Sequence, residues 1–216
     1  MVKVYLTDIR KLTNGYALYL DELTPKRREK AERYLFLSDR LRCMAGGLLL
    51  KEILGIQRDE ELIHNIYGKP ALHGGGKNFN ISHAGDYVVL AVDAFPLGVD
   101  IECIGSADMM VAQRCFQKDE LEYLTNGNGD CDEKFFSLWT LKESLMKATG
   151  LGLNLPPESF SVLSQDKPYY QKGGEMWYFK QYRPDENHLI SVCAAHQDFA
   201  PVFQEICFSK AMQGNY

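Results

Sequence analysis

The chain has no uninterrupted apolar run of about 18 residues, so no segment is expected to cross a membrane as a helix. Its opening stretch, MVKVYLTDIRKL, is broken by charges and lacks a small-residue cleavage site, so a secretory signal is not expected. None of its six cysteines (Cys43, Cys103, Cys115, Cys131, Cys193 and Cys207) sits in a C-x-x-C pair. That argues against a structural zinc site and for reduced, buried thiols in a cytoplasmic protein. Positive charge is in deficit. The net charge of −5 is unlike that of a general nucleic-acid binder. Two phosphate-binding signatures are also missing: there is neither G-x-x-x-x-G-K-[ST] nor G-x-G-x-x-G, and GGGK at residues 74–77 does not substitute for one.

What remains is an ordinary globular composition, 45% apolar and 25% charged over 216 residues. That is enough for one large domain or two small ones with a real core. Charge is unevenly placed. Residues 24–42 hold seven basic and three acidic groups, so this segment is at +4 and the rest at −9. Such a segment suits a small polyanion, or it is a solvated helix face with i,i+4 pairs such as Glu29–Arg33.

The periodicity predicts alternating α and β segments. Thr24-Pro25 opens a helix to about Leu37, and Ser38 caps a second helix that Gly55 closes. A turn region, IYGKPAL, precedes the hairpin FNISHAGDYVVLAVD and the strand PLGVDIE. Two shorter helices, ADMMVAQRCF and KDELEYL, lead to the long helix EKFFSLWTLKESLMKAT, which Gly150 ends. SFSVLS, MWYFKQYR, LISVCAAH and VFQEICF read as strands, and SKAMQGNY as a fraying tail. LKEIL (50–54) and LKESL (141–145) each lie on a long helix that precedes an apolar strand, YVVLAVD or ISVCAAH. A duplicated α/β unit of about 100 residues would explain this, as would coincidence among good helix formers.

Chemistry gathers in a few places. In PLGVDIE, Asp100 and Glu102 share one face of a strand whose other face is apolar. They are either an exposed pair held apart by water or a hard-oxygen ligand set for a cation such as Mg²⁺. Glu143 and Lys147, at i,i+4 on a largely apolar helix that also carries Lys142 in its middle, are either a surface pair or a metal carboxylate one turn before a phosphate-binding lysine. Arg42, Lys69, Ser82 and His83 add further polar and cationic groups. Acidic ligands beside cationic ones suit a Mg²⁺–polyphosphate substrate.

These stretches, in this order, resemble the 4′-phosphopantetheinyl transferases of the Sfp type. The resemblance is carried by LTPKRREKAERY, the Arg42 helix, YGKP, FNISHAGDYVVLAVD, PLGVDIE, RCFQKDEL, FFSLWTLKESLMKATGLGL, SFSV and VCAAHQDF, over about residues 24–199. It implies an α/β fold of two similar halves related by a pseudo-twofold, here 1–103 and 104–216, with the active site between them. It implies transfer of 4′-phosphopantetheine from coenzyme A to a serine of an apo acyl or peptidyl carrier protein, releasing 3′,5′-ADP. Asp100, Glu102 and Glu143 would bind Mg²⁺ (or Mn²⁺) with the pyrophosphate. Glu143 would also help to deprotonate the carrier serine, and Lys147 would hold the pyrophosphate and stabilise the leaving group. Arg27, Lys30, Arg42 and His83 would hold the 3′-phosphate and neighbouring phosphates. Tyr67, Gly68, Lys69, Pro70 and Ser82 would line the nucleotide pocket, with Lys69 beside the adenine. Glu120 matches an acidic position near the site.

A monomer without nucleic-acid or membrane partners is expected. The carrier is expected to dock between Cys103 and Leu124, where Met109, Met110 and Phe116 are either contacts or core. Two departures from the family stand out. Arg27 occupies a position where lysine is expected, and three consecutive glycines follow Leu72-His73, suggesting a more mobile loop. Two rivals remain: a non-catalytic coenzyme A or carrier-binding module of the same fold, and a Mg²⁺-dependent pyrophosphate hydrolase.

Overall fold

The structure, a computed structural model, describes residues 1–126, 129–163, 169–172 and 174–208. The chain opens with β1 (Lys3–Asp8), followed by α1 (Tyr16–Leu20), α2 (Pro25–Arg33) and the long α3 (Leu37–Leu54). A short hairpin, β2 (Leu62–His64) and β3 (Pro70–Leu72), precedes a longer one, β4 (Asn78–Ala84) and β5 (Tyr87–Asp93). The second part runs β6 (Leu97–Cys103), α4 (Met109–Cys115), α5 (Lys118–Thr125) and α6 (Cys131–Thr149). Next come β7 (Tyr169–Lys172), β8 (Glu175–Asp185) and β9 (His188–Ala194), and β10 (Gln204–Glu205) returns to the first sheet.

The two sheets have the orders β10-β1-β5-β4 and β6-β9-β8-β7. Their topologies repeat. In each, a first strand leads to a long helix and then to a hairpin whose second strand pairs antiparallel with the first. LKEIL and LKESL lie on α3 and α6, and YVVLAVD and ISVCAAH form β5 and β9, so the sequence echo falls on equivalent elements.

Alternation explains how the halves meet. On β5, Val88, Leu90 and Val92 pack with α3, while Val89 and Ala91 face the second sheet. On β6 and β9, Leu97, Val99, Ile101, Ile190, Val192 and Ala194 face the first sheet, and Cys193 faces the α6 side. The layers are therefore α3, sheet, sheet, α6. A strand buried on both faces needs a continuous apolar run, which is how β5 and β9 read.

Several expectations shift. β6 is hydrogen-bonded to β9 in the second sheet, so the sheets divide before Leu97, whereas the expected boundary lay after Cys103. α2 ends at Arg33 and α3 starts at Leu37, because Tyr34 and Phe36 are extended, so Ser38 lies inside the first turn and does not cap it. SFSVLS is not a strand over its described residues, and VFQEICF contributes only β10. SKAMQGNY lies outside the described residues. Left-handed Gly55 and Gly150 end α3 and α6, where the sequence places the helix ends. All six cysteines are free, but Cys103, Cys131 and Cys207 are exposed, so only part of the set matches buried thiols. No helix of the described residues is long and apolar enough to cross a membrane.

Candidate active site

The site begins with one glycine. A Cβ on Gly98 would fall 2.0 Å from the Ser144 carbonyl oxygen and 2.3 Å from the Ala148 nitrogen. Only glycine lets β6 lie this close to α6. The next residues on that strand face are Asp100 and Glu102, and the facing turns of α6 carry Glu143 and Lys147. Lys147 Nζ donates to Asp100 Oδ1 at 2.6 Å and to Ser82 Oγ at 3.0 Å. Ser82 Oγ in turn donates to Asp100 Oδ1 at 2.9 Å. Two residues earlier on the same face of β4, Asn80 Oδ1 accepts from the Val99 N–H at 2.8 Å. The N-x-S spacing in FNISH thus ties β4 to β6 by alternate side chains.

Asp100 is buried, at 3% exposure, which goes against the alternative of an exposed pair held apart by water. Its Oδ2 is buried with no hydrogen-bond partner among the described residues. Burial first, then the neighbouring Asp100 charge, pushes Glu102 up to about 7, while Lys147 and a hydrogen bond from Trp139 oppose the rise. Glu143 is also held above the usual carboxylate range by burial, with Lys147 pulling the other way.

These groups line one cavity of about 870 Å³ with walls from both halves. Asp100, Glu102, Trp139, Glu143 and Lys147 form the acidic side with its one lysine. The same cavity is lined by Lys26, Arg27 and Lys30 of α2, by Arg42 of α3, and by Ser82 and His83 of β4, with Ser82 touching Asp100 and Lys147 directly. Arg42 is aimed by Asp39 at 2.6 Å and by the Gly85 carbonyl at 2.7 Å. His83 keeps an exposed face, yet the protein around its ring and the charges of Arg42 and Lys147 hold it below the usual imidazole value. Among the described residues no three His, Cys, Asp or Glu side chains converge as a metal cluster. The three expected ligands share a cavity wall, and Lys147 occupies one oxygen of Asp100.

The family described as "4'-phosphopantetheinyl transferase superfamily" matches residues 96–193, and "4'-phosphopantetheinyl transferase, N-terminal" matches residues 11–94. The chain is 34% identical over 192 residues to 4'-phosphopantetheinyl transferase Sfp of Bacillus subtilis (strain 168), covering 84% of this chain and 86% of that protein. The chain belongs to the 4′-phosphopantetheinyl transferase superfamily. It is also 35% identical over 186 residues to 4'-phosphopantetheinyl transferase gsp of Aneurinibacillus migulanus, covering 82% of this chain and 78% of that protein. Over 207 residues it is 30% identical to L-aminoadipate-semialdehyde dehydrogenase-phosphopantetheinyl transferase of Xenopus laevis, covering 81% of this chain and 68% of that protein.

In this transferase Gly68 and Pro70 line the cavity, but Tyr67 and Lys69 do not. Lys69 Nζ turns away to the carbonyls of Leu97 (2.9 Å) and Ala148 (3.0 Å). After Pro70 the chain passes through Gly74, Gly75 and Gly76, all at positive φ. Glu120 is fully buried. It pairs with the equally buried Lys142 at 2.7 Å and accepts from the Gln117 and Val162 N–H groups. Its role in the structure is to fasten α5 to α6, away from the cavity. Phe116 is core, whereas Met109 and Met110 are exposed. Trp139, Asn80 and Asp39 were not singled out from the sequence. Only the placement of Trp139 one turn before Glu143 could have signalled its part.

Proposed function

We propose that this transferase moves 4′-phosphopantetheine from coenzyme A to a serine of an apo acyl or peptidyl carrier protein, with Mg²⁺ or Mn²⁺ bound, and releases 3′,5′-ADP. One observation carries the reading: the Asp100–Lys147 pair shares a single cavity with Glu102, Glu143 and the cationic side chains of α2 and α3. The printed names of the relatives support it.

The residues fit a divalent cation. Oxygen donors on Asp100, Glu102 and Glu143 are hard ligands, Asp100 Oδ2 lacks a partner among the described residues, and burial together with the Asp100 charge raises Glu102. When bound there, the cation supplies positive charge against the pyrophosphate oxygens. Arg27, Lys30, Arg42 and His83 bind the phosphates of the nucleotide end, including the 3′-phosphate. Gly68, Pro70 and Ser82 line its pocket. Glu143, made more basic by burial, takes the proton of the carrier serine directly or through water. The serine oxygen forms a bond to the β-phosphorus as the bond from that phosphorus to the bridging oxygen breaks, and 3′,5′-ADP leaves with the electron pair. Lys147 has three N–H donors, two of them engaged by Asp100 and Ser82, and so can also offset charge on the leaving pyrophosphate oxygens.

The test incubates the protein with coenzyme A, Mg²⁺ and several apo acyl and peptidyl carriers, and weighs the carriers. A phosphopantetheine mass gain is expected. No gain on any carrier sinks the proposal, and free phosphopantetheine without carrier modification marks a hydrolase.

A further inference from the structure

Lys69 is a lysine in a turn of the first half whose ammonium reaches into the second. Its two acceptors are the carbonyl of Leu97, at the start of β6, and that of Ala148, in the last turn of α6. Beside it, Asn65 Nδ2 donates to the Gly150 carbonyl at 2.9 Å. Asn65 Oδ1 accepts from the Tyr67 and Lys69 N–H groups at 2.9 and 2.8 Å, which fixes the turn. Ala148 and Gly150 present carbonyls that the end of α6 leaves without intrahelical partners, and a cation there also suits the helix dipole.

The same two elements are bridged a second time. Asp100 lies three residues beyond Leu97 and Lys147 one residue before Ala148, and these two meet at 2.6 Å. The Lys69 bridge and the Asp100–Lys147 pair are thus neighbouring rungs between β6 and α6. Gly98, between Leu97 and Asp100, has no side chain and so permits this close approach, and the two rungs stand on either side of it.

We infer that Lys69 is a positioning residue: with Asn65 it straps the turn at 65–70 to β6 and α6, and so sets the separation of Asp100 and Glu102 from Glu143 and Lys147, without touching the nucleotide. Burial lowers its ammonium to about 8, so the strap carries its charge at neutral pH and weakens above that. The inference extends the proposed transfer reaction and rests on it only for its catalytic arm.

The test compares wild type with Lys69→Met, using calorimetry for coenzyme A binding in Mg²⁺ and turnover on a carrier that wild type modifies. A strap predicts that kcat falls about tenfold or more while the Kd for coenzyme A stays within about threefold. A loss confined to coenzyme A affinity, an equal loss in both, or no change in either overturns it. If Lys69→Met does not fold, Asn65→Ala, which leaves the lysine in place, must show the same split at smaller size. If wild type modifies no carrier, the transfer reading fails separately. Hydrogen exchange of the Val99–Cys103 amides in the coenzyme A-free protein then decides, with faster exchange in Lys69→Met supporting the strap and unchanged exchange overturning it.

Discussion

Lys147 Nζ lies 2.6 Å from Asp100 Oδ1, while Oδ2 of the same carboxylate is buried with no partner among the described residues. One oxygen is neutralised by the protein and the other is left over. Asp100→Asn keeps the shape and removes the charge. Transfer should fall about a hundredfold or more. Stability should fall by only about 1–3 kcal/mol, because Lys147 keeps some access to water. Carrier turnover and a urea melt check this, and a fully active variant would contradict the assigned role.

Glu102 ties protons to stability. Its pKa rises from 4.5 unfolded to about 7 folded, so between those values the folded state holds more protons. Its contribution is therefore most favourable at or below about pH 4.5 and is lost as pH rises through 7. The difference in unfolding free energy between wild type and Glu102→Gln, followed by urea melts from pH 5 to 8, should shrink and then turn against wild type. Saturating Mg²⁺ should flatten the trend. A pH-independent difference would show that Glu102 is not crowded.

The Glu120–Lys142 pair is fully buried on both sides, and Lys142 also donates to the Pro157 and Phe160 carbonyls at 2.8 and 2.5 Å. Removing one partner strands the other charge, at a cost of about 3–5 kcal/mol. Lys142→Met should lower the melting temperature by many degrees yet leave the coenzyme A Kd of the folded fraction unchanged. A weakened Kd without loss of stability would place Glu120 and Lys142 at the site instead.

Arg42 is held toward the cavity by Asp39 and the Gly85 carbonyl. If it binds the 3′-phosphate, Arg42→Ala should weaken coenzyme A binding by about 1.5–3 kcal/mol and leave dephospho-coenzyme A nearly unaffected. Equal losses for both ligands would move its contact elsewhere on the nucleotide.

Much of the site was legible in the chain because its signals are local. The i,i+2 spacing puts Asp100 and Glu102 on one strand face, and the i,i+4 spacing puts Glu143 and Lys147 on one helix face. The cationic side chains of α2 and α3 follow from the composition of residues 24–42. Lys69 shows the limit. Its place in YGKP suggested a nucleotide contact, but its long side chain had other acceptors within reach once α6 and β6 were in place. Glu120 matched an acidic position near the site, yet with Lys142 it forms the most deeply buried ion pair described.

Local periodicity alone determined the long helices, their glycine ends, the apolar β5 and β9, and the facing pairs of charged residues. Each depends on repeats of 2 or 3.6 residues that a short window contains. Tertiary structure alone decided that β6 joins the second sheet, that Asp100 is buried, that Lys69 spans the two halves and that Glu120 meets Lys142. Those outcomes depend on which backbone segments approach one another. Here two sheets pack face to face, and a single glycine, Gly98, permits the close approach because there is no room for a side chain.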